Sequence, residues 1–526
     1  MPHQKKAAKN AGRSPKKVGM LNKNRLILYF IPLVLLLAYA LRHSLHAPTS
    51  DFAGYYYGSR ELLTGHYQHA YDMQTLNNLI NGDGYKGVFV SYAPFPPFTS
   101  LVLAPFLLFP MGMAKVIFNL VCSALFVFSL IRSCRYFSIP PYFILLIPVV
   151  FFIPIFNNLA FGQSYLLLCC LLLEGFRAYR EQSPILSSFL WGLAILFKLF
   201  PAFLFLFLLL RKKYRETLFL AIACGLLLLP SLWLNGLPAW KFYVSEIAPK
   251  MGRGELNDSW TYIFQSAFML LKRTFLYDGL LNPHPLLNNP YLFVIGMALF
   301  KALILSPAVL LTLRNRDDFF SFSVWVMASM LISPNGSSYS LVLLVIPLLA
   351  LGSSLRISPS NSPGNSPGIS PGILVAILVL VAACMIPVSR FGSFPIWAQF
   401  PRLYLLLLFF IFLLSRGNGG LVNAGLVAVI ALAFFVLDIR GYLPANEASS
   451  YVLTKEQHLF ICDYTVRDKK LVYYYQDDSG VHEQPTDYAV HDLTSDGVRL
   501  QDNQIWYKGK KLTDSPDRKE KAALID

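Results

Sequence analysis

Two charged residues set within apolar sequence are the first candidates for chemistry in this chain. Asp51 opens the stretch SDFAGYYYGSRELLTGHYQHAYD (50–72), a few residues after a long apolar run. Lys198 stands inside another, ILSSFLWGLAILFKLFPAFLFLFLLL (185–210), shortly before Pro201. A carboxylate near its ordinary pKa, about 4, is ionised at neutral pH and takes a proton from a hydroxyl within reach. A fixed ammonium holds a phosphate. Charge in hydrocarbon costs about 2.5–3.5 kcal/mol per residue on insertion scales, so it is kept for function or for pairing. The plainer duties are helix capping for Ser50 or Asp51 and snorkelling for Lys198. The proline, in a pair of unusually short half-spans, favours a ligand-facing Lys198.

Other groupings carry less. His66 and His69 lack both an HExxH context and an acidic third ligand, so no metal site is expected. GQSYL (162–166) lacks the second glycine of a nucleophile elbow and any strand-turn-helix setting. Glu174 and Arg177 stand at helix spacing as a plain ion pair. The seven cysteines include Cys122, Cys169, Cys170, Cys224 and Cys384 inside apolar stretches, with no CxxC. Neither a disulfide framework nor a zinc site follows.

The elements that must position these residues are membrane helices. Of 526 residues, 55% are hydrophobic and 14% charged, where a soluble domain has about a quarter charged. The formal charge of +16 sits in short basic clusters between apolar runs, as cytoplasmic loops require, and implies no nucleic-acid partner. Residues 26–41 are followed by Arg42 and His43 without a small-residue cleavage site, which reads as a retained signal-anchor helix. The basic tail 1–25 then stays in the cytoplasm and Asp51 lies outside. Parity asks for spans near 112–131, 139–156, 164–178, 185–197, 201–210, 216–234, 291–313, 319–333, 338–355, 372–389, 403–415 and 420–437. With the first helix that makes about thirteen crossings.

In this threading 185–210 is two half-crossings turning at Lys198 and Pro201, which returns RKKYR to the cytoplasm. Residues 94–110, short and proline-punctuated, form an interfacial segment on the outer face. The expected fold class is an all-α polytopic membrane protein with external amphipathic helices and a small C-terminal β-rich appendage. Its domains are the basic tail (1–25), a transmembrane module (26–355), a Ser/Pro/Gly linker (356–372), further transmembrane helices (373–444) and the external appendage (445–526). Unusual polar residues gather outside: Asp51, Arg60, Glu61, His66, His69, Asp72 and Tyr92, then NNLAFGQS (157–164) with Asn158 and Gln163. Lys198, a long loop 235–290 and SPNGSS (333–338) follow. Together they form a concave polar site at the outer leaflet.

Several stretches in this order, DFAGYYYGSRELLTGHYQHAYD, VSYAPFPPFTSLVLAPFLLFP, NNLAFGQSYLLL, GLAILFKLFPAFLFLFLLLRKKYR, NDSW and SPNGSSYSLVLLVIPLLAL, resemble family 87 glycosyltransferases. These are polytopic C-type (GT-C) enzymes that take sugars from polyprenyl-phosphate carriers, mannose in the mannosyltransferase members. The likeness spans roughly residues 26–355. It implies Asp51 as the base, with Tyr92 and Pro94, Gly162 and Gln163, Lys198 and Pro201, and Asn257 and Ser259 matching the family's turns. SPNGSSYS lacks the histidine common there, and Gln265 stands where an arginine often does. The donor phosphate is therefore expected on Lys198 with Arg253, His284 or Lys272. Arg60, His66, Tyr92, Asn158, Gln163, Asn257, Ser259 and Trp260 are expected to line the substrate, and Tyr55, Tyr56, Tyr57 and Trp260 to face the sugar.

The implied reaction moves a sugar from a polyprenyl-phosphate donor to an extracytoplasmic glycan or lipid acceptor, inverting the anomeric centre. It needs no cofactor, and a single aspartate without a DxD pair implies no metal. The implied partners are that donor, the acceptor and membrane lipid, at the cell membrane, with the N-terminus cytoplasmic. A transporter or flippase suits many spans and broken helices as well. A surface polysaccharide ligase or polymerase is the other rival.

Overall fold

Runs of Leu, Ile, Phe and Val broken by Pro, Gly or charge fold as helices here, because a backbone without water must satisfy its polar groups internally. The structure is a computed structural model. It describes residues 23–47, 50–85, 88, 90–252, 261–276, 282, 285–315, 317–354, 371–417 and 423–442, and short strand segments between 450 and 511. Most of the Ser/Pro/Gly linker and most of the basic tail lie outside the described residues.

In chain order the helices are α1 (Leu26–Ser44), α2 (Ser50–Leu63), α3 (Tyr67–Tyr71), α4 (Met73–Gly82), α5 (Met111–Tyr136), α6 (Pro141–Val150) and α7 (Phe152–Phe161). There follow α8 (Tyr165–Arg180), α9 (Pro184–Phe197), α10 (Phe203–Leu210), α11 (Tyr214–Phe242), α12 (Ala267–Phe275), α13 (Pro290–Arg314), α14 (Asp318–Ile332) and α15 (Val345–Ser354). The last are α16 (Pro371–Met385), α17 (Pro401–Arg416) and α18 (Ala424–Tyr442).

Ion pairs tie one end of this bundle. Arg132, near the end of α5, lies 3.5 Å from Glu174 on α8, which Arg177 also holds at 2.8 Å. Arg180 at the end of α8 and Arg211 just after α10 both reach Asp318, at 3.2 and 3.0 Å. The chain between Arg180 and Arg211 therefore leaves this end and comes back to it. It turns at Lys198, whose extended backbone (φ −145°, ψ 116°) stops α9 before the 3-10 turn Phe200–Ala202. Lys198 Nζ stands 3.7 Å from the centroid of the Tyr165 ring, at the start of α8. As α8 has 16 residues, the turn lies about 24 Å from the ion pairs.

Among the described residues four helices are long and apolar enough to cross a membrane singly: α1, α5, α13, and α11 with its continuation to Met251. The pair α6 and α7, bent by 57° across Phe151, makes a fifth if counted as one span. The other apolar helices, Thr99–Leu108 within the 94–110 segment among them, run 10–17 residues. Along α11, Leu218, Ile222, Leu226, Leu229, Trp233 and Leu237 are all exposed, a stripe at helical spacing that water would penalise and lipid would not. The chain is a multi-pass membrane protein. Deeper inside, Lys301 on α13 bonds Asp438 on α18 at 2.6 Å, so the charge each carries is paired.

Beyond α18 the described backbone runs in antiparallel strands: β1 (Ser450–Tyr451), β2 (Phe460–Arg467), β3 (Lys470–Asp477) and β4 (Gly480–Ala489) in one sheet, in that order. A second sheet holds β5 (Val498–Gln501), β6 (Gln504–Tyr507) and β7 (Lys510–Lys511).

Candidate active site

Asp51 lies in the first turn of α2, where the positive end of the helix dipole favours a carboxylate. It is half-buried. Gln163 Nε2 donates to Asp51 Oδ2 at 2.7 Å. The same amide is fixed from its other side, since Tyr55 Oη donates to Gln163 Oε1 at 3.0 Å and lies 3.0 Å from Ser164 Oγ. Gly162 makes this turn possible. It ends α7 in the left-handed region (φ 70°), and a Cβ there would come within 2.7 Å of Phe52 Cβ, next to Asp51.

Lys198 reaches the same place from the break between α9 and α10. Its ammonium sits between two rings, 3.7 Å from the Tyr165 centroid and 5.1 Å from that of Phe95. Among the described residues it makes no ion pair or hydrogen bond, so its three donors remain available to an anion. Phe95 also packs on Tyr55, with ring centroids 4.4 Å apart, and Tyr339 on Tyr165 at 5.5 Å. The first loop, the turn after Pro94, the Gly-Gln turn, the Lys198 break and the SPNGSS turn thus converge.

Burial pushes the Asp51 carboxyl above the usual carboxylate value; the Gln163 hydrogen bond and the charges of Lys198 and Lys115 oppose that push without cancelling it. The expectation of an ordinary pKa near 4 is corrected accordingly. A carboxylate raised in this way is a stronger base when ionised and titrates nearer neutrality.

Lys115 is a site neighbour that the sequence reading passed over. Buried at the start of α5, its Nζ donates to Ser44 O at 3.2 Å and Ala47 O at 3.4 Å, the carbonyl end of α1. The rule that singles out Lys198, charge inside an apolar run, would have found it. Tyr165 and Tyr339 were equally missed, for want of any signal beyond their closeness to the two turns.

Other expected site residues lie elsewhere or do other work. Tyr92 is fully buried beneath Gly58, its hydroxyl donating to Pro96 O at 3.3 Å. Asn158 is buried as well; in the amide orientation that satisfies both neighbours it donates to Gln163 O at 2.7 Å and accepts from Tyr165 N at 3.3 Å. Those bonds shape the turn. Arg60 bonds Asp83 at 3.0 Å near the far end of α2, and His66 lies beyond that helix. From Asp51 to the end of α2 is about 18 Å. Gln265 bonds the Tyr262 and Gln399 carbonyls at 2.7 and 2.8 Å and accepts from Arg402 N at 3.1 Å, locking its loop to α17. Arg253, Asn257, Ser259, Trp260 and His284 lie outside the described residues.

The histidines bring a second correction. Glu61 Oε2 lies 3.3 Å from His69 Nδ1 and 3.8 Å from His66 Nδ1, so the fold supplies the acidic third partner that the spacing lacked.

Residues 93–334 match the model of glycosyltransferase family 87. That region, a little under half of the chain, is similar to family 87 glycosyltransferases. No curated protein and no solved structure matches it. The matched region of this glycosyltransferase contains the Gly-Gln turn and Lys198, while Asp51 and Tyr339 fall outside it and are brought in by folding. Transfer of a sugar to an acceptor is thereby the activity, and the transporter reading gives way.

Proposed function

We propose that this glycosyltransferase takes its sugar, mannose, from a polyprenyl-phosphate donor and transfers it to an extracytoplasmic glycan or lipid acceptor with inversion. The observation that carries the reading is a pair of opposite charges close enough to act on one another: a carboxylate held by Gln163, and an ammonium in an aromatic cage with no acceptor of its own among the described residues. Asp51 takes the proton of the acceptor hydroxyl as that oxygen forms its bond to the anomeric carbon. The bond from that carbon to the phosphate oxygen breaks, and its electron pair leaves with the phosphate. Lys198 meets the charge that grows there, an interaction worth most at a water-poor site.

The phosphate monoester leaves as a stabilised anion, so one base and one cation suffice. Aromatic faces at Phe95, Tyr165 and Tyr339, each partly exposed, suit a sugar ring. The short apolar segment Thr99–Leu108 suits one wall of a lateral groove for a polyprenyl tail.

The wider reading is a GT-C enzyme of about thirteen crossings, with the arginine-rich end of the bundle in the cytoplasm and Asp51 on the other side. The paired returns of the chain to the Asp318 end support that parity. The β-rich segment after residue 445 is then external. The test supplies purified protein with radiolabelled polyprenyl-phosphate sugars and a panel of glycan and lipid acceptors. A new glycosidic bond that is lost in Asp51→Asn, at unchanged expression, is the expected result. Transfer from a nucleotide sugar instead would overturn the donor assignment.

A further inference from the structure

A built cluster of metal-ligating side chains lies outside the site described above. Two residues past the end of α2, Gly65, with a positive φ of 86°, turns the chain back on itself. His66 N then bonds Glu61 O at 2.8 Å, and Gly65 N bonds Leu62 O at 3.1 Å. This C-terminal turn sets the His66 side chain beside that of Glu61. His69 follows one turn into α3, and the two imidazoles stack with centroids 5.1 Å apart at 15°.

Glu61 is buried, and Arg60 Nε lies 3.6 Å from its Oε1, so Oε2 is the oxygen turned to the histidines. The candidate ligand atoms of Glu61, His66 and His69 all lie within 4.8 Å of one another. Tetrahedral zinc, with bonds of about 2.0–2.2 Å, asks for ligand separations of about 3.3 Å. The His69 to Glu61 distance already has that value at 3.3 Å, and the His66 to Glu61 distance exceeds it at 3.8 Å. His66 and His69 are exposed and can close the difference. Thr64 Oγ1, 3.2 Å from His66 Nδ1, has its own acceptors in Arg60 O and Glu61 O at 3.0 and 3.1 Å, so a metal would not strand it.

We propose that Glu61, His66 and His69 form a zinc-binding site. Two imidazoles and one carboxylate suit a borderline divalent ion such as zinc far better than magnesium or calcium, which take oxygen. Three protein ligands leave one position open. Bound there, zinc clips α3 to the end of α2, the helix whose first turn carries Asp51. The site is independent of the donor and the acceptor.

The test uses the full chain, purified in detergent without a polyhistidine tag and stripped with chelator. Zinc chloride is titrated in competition with a chromogenic zinc indicator, for the wild type, Glu61→Gln and the double variant His66→Ala/His69→Ala. One tight equivalent is expected in the wild type, weakened at least tenfold in each variant, together with a zinc-dependent rise in unfolding temperature for the wild type alone. Equal binding in all three proteins would overturn the proposal. If the variants do not stay monodisperse, zinc X-ray absorption on the wild type decides: two imidazole nitrogens in the first shell support the site, and a shell without imidazole removes it.

Discussion

Gln163 Nε2 donates to Asp51 Oδ2 at 2.7 Å across 112 residues of sequence. That bond joins a residue before the family-matched region to one inside it, and it orients the carboxylate while lowering the pKa that burial raises. Gln163→Ala removes the lowering influence. The acid limb of the pH profile of kcat/KM should therefore move to higher pH, with activity at neutral pH falling about tenfold or more from lost orientation. An unmoved acid limb would show that Gln163 does not act through Asp51.

Asp51→Asn should reduce transfer by about 10²–10⁴-fold, the usual contribution of a positioned base. The same substitution should leave the fold as stable at neutral pH, or more so. The folded pKa of Asp51 is raised above that of an ordinary carboxylate, so its contribution to stability is full below the ordinary value and is lost as pH rises through the folded pKa. Asparagine never ionises and keeps that contribution. Thermal unfolding in detergent between pH 4 and 8 should show the variant's relative Tm rising with pH, and a relative Tm that falls over that range would reverse the sign assigned here.

Lys198→Gln should raise KM for the polyprenyl-phosphate sugar about ten- to hundredfold, the loss of one charge-assisted contact. Because the charge of Lys198 also lowers the Asp51 pKa, the acid limb should shift upward in this variant too. Unaltered donor affinity would return Lys198 to snorkelling.

Gln182, exposed in the turn after α8, and Gly82, exposed at the end of α4, should lie on opposite sides of the membrane. In a background without native cysteines, a cysteine at 82 should react with an impermeant maleimide in intact cells, and one at 182 only after permeabilisation. The reverse pattern would invert the proposed orientation.

Asp51 and Lys198 were legible because a charge within apolar sequence has few reasons to be there. Gln163 was legible through its place in a Gly-Gln turn within NNLAFGQS. Tyr92 was assigned to the substrate from its motif, yet its hydroxyl has a backbone partner and its ring a close neighbour in Gly58, both set by packing. The break at Lys198 was readable from Pro201 and from the need to return RKKYR to the other basic ends. The arginines there do meet the same Asp318.

By itself the sequence determined that this is a membrane protein of apolar helices, where they break, and which charges are out of place. These follow from local composition and from the cost of charge and unpaired backbone in hydrocarbon, which act on each segment separately. Only the tertiary structure decided that Gln163 holds Asp51, that Lys198 sits in an aromatic cage without an acceptor among the described residues, and that Glu61 joins His66 and His69. Each of those depends on distances between side chains on different elements, and the desolvation that raises the Asp51 pKa exists only once those elements have packed.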